Sequence, residues 1–574
     1  MAETAQDAAP TMAELIRARA DDPNPALVFS EEHVGAAGSS DGPAEGAGVG
    51  VITYADWVDG CAARAAYLAD HRTSGPPHVG VLLDNVAEFP LWLGAAAVSG
   101  ATIVGINPTR QGAELARDIT HTDCQLIVTD SSYRAILDGL DLGAARDRVL
   151  TVDADDYEPQ LAPYFGADLP SIEVGPDDIF LLLFTSGTSG APKACLCSQG
   201  RLGRIAALAG QMFALSAESV CYLAMPLFHS NALMAGWGPA VAVGATTALR
   251  PKFSASGFLP DVRRYGVTFF NYVGKPLAYI LATSEASDDD DNTLKLVFGN
   301  EAAEHDTARF GARFGCTVID GYGSTEGSAV IMRTPDTPPG SLGVADEHTK
   351  VLDPETTEEC PPAAFDDDGA LTNADACIGE IVNTKGADSF EGYYNNDEAN
   401  AARARGSEYW TGDLGYRDAD RFFYFAGRDY EWLRVDGENF AAAPVERILG
   451  RHPGVSECAV YAVPDTDVGD QAMAAVVMHT DAPFDPAGFA EFLAAQTDLG
   501  TKWAPRYVRV ADSLPATRTN KVLKRGLRRE RWQCADPVWW RPGKAIRYRL
   551  LTDEDREEIH ACFVNRDRLA VLET

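Results

Sequence analysis

A chain of 574 residues, 46% hydrophobic and 23% charged, has the composition of a globular protein and room for roughly three or four units of ~150 residues. Its 84 acidic against 48 basic residues leave a formal charge of −36, which argues against nucleic acid as a main partner, because phosphate binding needs a basic face. Eleven scattered cysteines without a CxxC pair fit reduced thiols in a cytoplasm, and the acidic start MAETAQDAAPTMAEL lacks the basic n-region and apolar core of a signal peptide.

Residues 11–30 predict a helix and then a strand ending at ALVFS, and residues 36–50, rich in Gly, Ala and Ser, predict a loop or disordered insert. From Ile52 the two periodicities alternate: helix over 54–71, strand over 79–83, helix over 87–99, strands over 102–106 and 125–129. The longest uncharged apolar stretch, 90–108, contains Gly94, Gly100, Gly105 and Asn107, and reads as a core helix followed by a strand rather than a membrane span. The rhythm continues through strands at 179–184, 221–226, 245–250, 268–273, 295–298 and 317–322, which implies parallel α/β sheets. Acidic clusters at Asp288 to Asp291 and Asp366 to Asp368 read as solvated loops. Residues 409–428 predict two strands joined by an acidic turn. After Gly427 Arg and Lys become denser and the elements shorter, which places a domain boundary there, with units 1–427 and 428–574 and a hinge near Arg428 to Glu431. The aromatic and basic stretch VWWRPGKAIRY at 538–548 reads as a hairpin on the small unit and leaves a peripheral membrane contact open.

Five short blocks carry chemistry. FTSGTSGAPK, over 184–193, sets Thr185, Ser186, Gly187, Thr188, Ser189, Gly190 and Lys193 behind an apolar strand. Glycines let backbone N–H groups converge, hydroxyls donate and the lysine neutralises charge, so such a loop can fold round a polyphosphate. It is not a P-loop, which needs four residues between Gly and Gly-Lys and then Ser or Thr. Alone it is also the composition of a plain surface loop. GYGSTEG, over 321–327, follows the next motif-bearing strand: Tyr322 can stack on a base, Thr325 can hold a phosphate oxygen, and Glu326 can hold a hard cation. In Thr411-Gly412-Asp413 an ionised carboxylate on a tight turn can accept both hydroxyls of a ribose. Gly427-Arg428 offers a guanidinium to ribose or phosphate oxygens. LPATRTNKVLKR, over 514–525, places Lys521 after a turn and near the start of a basic helix.

In this order and at these distances the five blocks resemble the adenylate-forming superfamily of acyl-CoA synthetases, luciferases and peptide-synthetase adenylation domains, over roughly residues 12–560. AMPLFHS (224–230), KFSASGF (252–258), YVGKPLAYIL (272–281) and RVDGEN (434–439) are similar to the very-long-chain acyl-CoA synthetase branch, also called the fatty-acid transport proteins. The resemblance implies an α/β chain: a large N-terminal domain of stacked α/β subdomains, a small mobile α+β C-terminal domain, and an active site between them. It implies ATP, Mg2+ and CoA. By the same resemblance the loop from Thr185 to Lys193 cradles the β- and γ-phosphates, Tyr322 stacks near adenine beside Gly323 and Ser324, and Gly299, Asn300 and Glu301 line that pocket. Thr325 touches the α-phosphate, Glu326 binds Mg2+, Asp413 and Arg428 hold the ribose, and Lys521 reaches the acyl carboxylate and the α-phosphate. The strand with Arg434 and Gly437 lines the pantetheine path. His229, Phe270, Val273 and Gly274 fall where the acyl pocket is expected; as an isolated histidine His229 also reads as structural.

Three positions depart from the family pattern. Tyr430, with Glu431 next, stands where many members carry a hinge aspartate, Asn520 replaces the usual glycine before the catalytic lysine, and Lys524, three residues further on, is expected to point elsewhere and stay solvated. The implied activity is ATP-dependent ligation of a long-chain or steroid side-chain carboxylic acid to CoA through an acyl-adenylate. Two alternatives stay open: delivery of the acyl group to a carrier protein, and a low-turnover acyl-binding or transport role. So does homo-oligomer formation.

Overall fold

The computed structural model describes residues 9–31, 48–185, 193–274, 276–300, 302, 304–354, 356–365, 373–428, 432–436, 438–467, 469–479, 483–496, 499–515 and 524–572. Most of the 36–50 insert, the cluster Asp366 to Asp368 and the hinge residues 429–431 lie outside these segments.

A six-stranded sheet runs in the order Val149–Thr151, Leu126–Thr129, His78–Leu82, Thr102–Gly105, Ile179–Thr185, Lys193–Ser198. Its pairings are parallel except the last, an antiparallel one that faces Thr185 with Lys193. An eight-stranded sheet runs Val330–Met332, Thr317–Gly323, Leu296–Asn300, Phe269–Val273, Val220–Leu223, Thr246–Leu249, Pro25–Ser30, Val49–Thr53, parallel inside and antiparallel at both ends. Strands such as His78–Leu82 are buried along their whole length, the mark of parallel strands covered on both faces. One core joins the two sheets through Trp57, Phe89, Trp92, Phe180 and Trp237. The helix Glu88–Ser99 buries all of Phe89 to Val98 within it, so the uncharged stretch around it is uniformly apolar because it is surrounded by protein. Among the described residues no helix is long and apolar enough to cross a membrane.

A third, antiparallel sheet is built on Glu408–Arg417, which pairs with both Gly379–Asn383 and Phe423–Arg428; the last pairing is the hairpin expected at 409–428. The smaller C-terminal domain is α+β. The hairpin Trp432–Val435 with Glu438–Ala441 precedes a five-stranded sheet, Val455–Pro464, Asp470–Met478, Tyr507–Val510, Val538–Trp540, Arg549–Leu550. Val538–Trp540 and Arg549–Leu550 pair antiparallel, and Val538 and Trp540 are buried, so the aromatic tail is part of this sheet.

Two expectations need correction. Asp289 is not solvated: it is 4% exposed and pairs with Arg313 at 2.6 Å. Lys524 is not solvated either; its ammonium lies 2.9 Å from the Glu446 carboxylate with only 13% of the side chain exposed.

Candidate active site

The carboxyl ends of the parallel strands open onto a cleft, the usual place for a ligand in such sheets. Thr185 ends one strand and Lys193 begins its antiparallel partner, so both ends of the hydroxyl-rich loop are held at the cleft. Ser186, Gly187, Thr188, Ser189 and Gly190 lie outside the described residues, as do Glu301, Gly437 and Lys521. Lys193 is 5% exposed, with its ammonium 5.2 Å from the centre of the Tyr393 ring. Burial, and then the Arg403 guanidinium, bring its pKa down to about 8 against the pull of Glu326 and Glu398.

Glu326 sits in the turn after the strand Thr317–Gly323 and is 7% exposed. The Tyr393 hydroxyl donates to its Oε1 at 2.6 Å. Burial raises the carboxyl pKa, but the Tyr393 hydroxyl and the Arg403 charge outweigh it, so Glu326 is held below its ordinary value and stays ionised. Arg403 ends the helix Asp397–Arg403, and its Nη1 donates to the Trp410 carbonyl at 3.1 Å. Thr325 Oγ1 is 2.8 Å from Ser230 Oγ, and its carbonyl accepts from Arg201 Nη2 at 2.5 Å. The Ser324 hydroxyl is a further group that holds the Glu326 carboxyl below its ordinary pKa.

At the nucleoside end Tyr322 donates its hydroxyl to Asp413 Oδ2 at 2.6 Å, so the expected base-stacking and ribose residues are in contact. Asp413 and Arg428 are cross-strand partners in the hairpin register; the Arg428 side chain is outside the described set. Thr411-Gly412-Asp413 is not the tight turn expected: it lies inside the strand Glu408–Arg417, where the register with Gly379–Asn383 shifts, and Gly412 there has φ +73°, which favours glycine. A Cβ on Gly323 would meet nothing within 4 Å, whereas one on Gly299 would fall 2.5 Å from Tyr272. Asn300 Nδ2 donates to the Gly321 carbonyl at 2.6 Å and ties the two motif-bearing strands together.

The acyl-side residues divide. His229 presents its ring to the cleft against Phe228, with centroids 4.4 Å apart. Desolvation by the surrounding protein pushes its pKa down to about 4, so the imidazole is neutral near pH 7. Half-buried Val273 ends its strand, and buried Gly274, with φ +73°, follows it beside Asn300, whose carbonyl accepts from the Gly274 N–H at 2.9 Å. Phe270 does not join them. It is fully buried, with Phe258 and Tyr222 at centroid separations of 5.1 and 5.7 Å, because strand alternation turns it toward the covering helices. Its neighbour Asn271 takes the opposite face and donates to Asn231 Oδ1 at 2.7 Å. Asn231 leads into a π-helical turn, Ala232–Trp237, a geometry frequent at functional sites.

In the small domain the Arg434 N–H donates to Asp470 Oδ2 at 3.1 Å, and burial lowers the guanidinium pKa. Its hairpin reaches the large domain where Tyr279 Oη donates to Asp436 Oδ1 at 3.3 Å. A cavity of about 340 Å3 lies nearby, lined by Asn85, Pro108, Tyr133, Phe228, Lys252 and, from the small domain, Thr501. Among the described residues no three metal-ligating side chains converge. One ionised carboxylate, Glu326, nevertheless suits Mg2+, which takes one or two carboxylates together with substrate phosphates.

Residues 35–394 match the model of the AMP-binding enzyme family and residues 444–521 that of the AMP-binding enzyme C-terminal domain. The chain belongs to the AMP-binding enzyme family. The steroid-22-oyl-CoA synthetase of Rhodococcus jostii is 52% identical over 91% of this chain and 94% of its own length. The medium/long-chain fatty-acid–CoA ligase FadD17 of Mycobacterium marinum is 49% identical over 85% of this chain and 94% of its own. In fold the chain is similar to a double mutant of o-succinylbenzoate CoA synthetase (MenE) from Bacillus subtilis bound with its product analogue OSB-NCoA. The TM-score is 0.72 at 23% identity, over 91% of this chain and 98% of that one. With relatives of about half identity named as CoA synthetases or ligases, this AMP-binding enzyme is an acid–thiol ligase of the acyl-CoA synthetase type.

Sequence reasoning missed four residues that the structure brings to the candidate site residues Thr325, Glu326 and Gly412: Arg201, Ser230, Tyr393 and Arg403. Ser230 stood inside a quoted motif, and its hydroxyl next to His229 was a usable signal. The other three come from segments with no composition cue.

Proposed function

We propose that the enzyme activates a large apolar carboxylic acid, a long-chain fatty acid or a steroid side-chain acid, as its acyl-adenylate and then transfers the acyl group to CoA. The observation that carries this reading is the contact of Thr325 Oγ1 with Ser230 Oγ at 2.8 Å. It joins the turn bearing ionised Glu326 to the segment bearing His229, so the phosphate end of a nucleotide and the carboxylate end of an acid meet at one point. The two relatives act, by their names, on a steroid-22-oyl and a medium or long-chain acyl group, and an apolar acid is what they share.

In the first half-reaction a carboxylate oxygen attacks the α-phosphorus, the bond to the β-phosphate oxygen breaks, and pyrophosphate leaves. Two anions must approach, so positive charge has to stand against them. Lys193 supplies it at the polyphosphate end and, in this reading, Lys521 supplies it at the reacting oxygens. Glu326 would hold Mg2+, which when bound offsets charge on the phosphate oxygens. Tyr322, Asp413 and Arg428 hold the nucleoside so that the α-phosphate sits beside Thr325. In the second half-reaction the CoA sulfur attacks the acyl carbonyl carbon and AMP leaves. The cavity beside Phe228 and Thr501 is the proposed approach of pantetheine. The division into 1–427 and 428–574, with rotation between half-reactions, belongs to the same proposal.

The test is pyrophosphate release from ATP across a panel of acids, with and without CoA, for wild type and Lys521→Ala. Release that needs a long-chain or steroid acid, consumes CoA in step and falls by orders of magnitude in the variant is the expected result. Release without CoA consumption would move the acceptor to a carrier protein. No acid-dependent release from folded, ATP-binding protein would overturn the enzyme reading.

A further inference from the structure

We propose that Arg110 and Tyr279 of the large domain are positioning residues for acyl transfer: through Trp503 and Asp436 they clasp the small domain where it walls the pantetheine cavity. The proposal rests on the acyl-CoA ligase reading above and adds residues that the reading does not use.

The cavity of about 340 Å3 takes its walls from both domains: Pro108, Thr109 and Phe253 from the large one, Thr501 from the small one. Tyr322, Thr325, Glu326 and Asp413 are not among its lining residues, so it is a way in that does not cross the proposed nucleotide groups. Lys252, with 69% of its side chain exposed, and buried Phe228, the neighbour of His229, both line it. It therefore joins solvent to the acyl side, as a thiol arriving after the nucleotide requires. Because Thr501 is one of its walls, the cavity has this shape only while the small domain keeps this position.

Two contacts between the domains adjoin that lining. Arg110 follows Thr109, and its guanidinium carbon lies 5.7 Å from the centre of the ring of Trp503, two residues after Thr501. Trp503 is buried and packs on Phe440 at 5.6 Å, and Arg110 is aimed by ion pairs with Glu114 at 2.9 Å and Asp118 at 2.5 Å. A cation over an indole gains most where water is excluded. In the second contact Tyr279, whose ring lies 6.5 Å from that of Phe253, donates its hydroxyl to Asp436 Oδ1 at 3.3 Å. Lys502 holds Asp436 Oδ2 at 2.8 Å. Asp436 follows Val435 at the turn of its hairpin with φ +51°, a left-handed position that Asp tolerates better than most residues. Three consecutive residues of the small domain thus line the cavity (Thr501), steady Asp436 (Lys502) and meet Arg110 (Trp503).

The Tyr279 contact is partly exposed, as are Asp436 and Lys502, so the clasp biases the domain position without locking it. The rotation between half-reactions proposed above needs a bias of that kind. Adenylation uses no thiol and no pantetheine cavity, so the clasp belongs to the second half-reaction.

The experiment compares the half-reactions in wild type, Arg110→Lys, Tyr279→Phe and the double variant, with melting curves to show that each is folded. The acid probe is dodecanoate or, where wild type prefers it, cholanoate. ATP–pyrophosphate exchange reads adenylation, and a single-turnover chase of the enzyme-bound adenylate with CoA reads transfer. Arg110→Lys keeps the charge beside Glu114 and Asp118 and gives up the planar stacking surface; Tyr279→Phe keeps the ring and removes the hydroxyl. Each change should shift the domain balance about threefold. From an even balance, transfer should slow about twofold in each single variant and about fivefold in the double, while exchange stays within about twofold. Equal loss of exchange and transfer would make these contacts general props and overturn the proposal. Loss of exchange with transfer intact would assign this domain position to adenylation and overturn it too, as would no change in either. If Arg110→Lys does not fold, the same comparison in Tyr279→Phe decides. Wild type that shows no exchange with any acid would sink the adenylation reading and the clasp with it, a failure visible without any variant.

Discussion

Glu326 stays ionised inside the protein because one hydroxyl and one guanidinium outweigh its burial. The hydroxyl is the separable part. A hydrogen bond to a charged group contributes about 1.5–3 kcal/mol, so Tyr393→Phe should lower acid-dependent ATP–pyrophosphate exchange by about ten- to a hundredfold. The sign of the pH effect follows. A carboxylate whose folded pKa is depressed contributes stability above its ordinary range and loses it as pH falls through the depressed value. Without the phenol that loss begins at higher pH, and the acid limb of the exchange profile should move up. An unmoved limb would mean that Tyr393 only fills space. Lys193 titrates the other way. Its pKa is about 8 in the fold against an ordinary 10.5, so the unfolded chain binds more protons between those values. Stability of the ligand-free enzyme should rise across that window, and Lys193→Met should remove the rise. Urea midpoints at about pH 7.5 and 9.5 for the two proteins would measure it.

At the scale of elements, the strand that carries Asp413 bulges at Gly412. Its φ of +73° lies in the left-handed region, and a Cβ would meet Arg403 Nη1. An L side chain there costs about 1–2 kcal/mol before any clash. Gly412→Ala should lower the melting temperature by a few degrees and raise the KM for ATP about tenfold, and an unchanged KM would detach this bulge from the ribose. The Gly-Asp pair was legible in the sequence as a special backbone position, but it read as a tight turn, whereas it is a bulge inside the strand Glu408–Arg417, set by a pairing with Gly379–Asn383 that no local pattern shows. The parallel strands were legible as apolar runs, and the polyphosphate loop and Glu326 turn as glycine-rich blocks behind them. Side-chain direction was not. Phe270 and Asn271 are adjacent on one strand, and which of them faces helices depends on what covers the sheet, a long-range fact. Tyr393 reaches Glu326 from 67 residues along the chain, a distance at which no local pattern operates. Lys524 read as solvated because a basic run usually is, yet Glu446 of another helix meets it.

The whole molecule carries −36 charges while its proposed nucleotide site holds Lys193. A large excess of one sign destabilises the compact state through self-repulsion and keeps it soluble. The unfolded chain spreads the same charges over a larger volume, so repulsion penalises the native state more. Salt shortens the reach of that repulsion: the Debye length falls from about 10 Å at 0.1 M to about 3 Å at 1 M. Individual surface ion pairs are weakened by the same screening, but each exposed pair is worth only about 0–1 kcal/mol, so they do not reverse the balance. Potassium chloride is the salt to use, because sulfate would strengthen apolar burial by exclusion and confound the reading. The melting temperature of the ligand-free enzyme should therefore rise by several degrees from about 0.1 to about 1 M KCl. The same series at a pH near 5, where part of the carboxylate charge is neutralised, should show a smaller rise. A flat or falling melting temperature at neutral pH would mean that the acidic groups are already neutralised locally, by arginine pairs such as Arg313 with Asp289. The excess would then act on solubility alone.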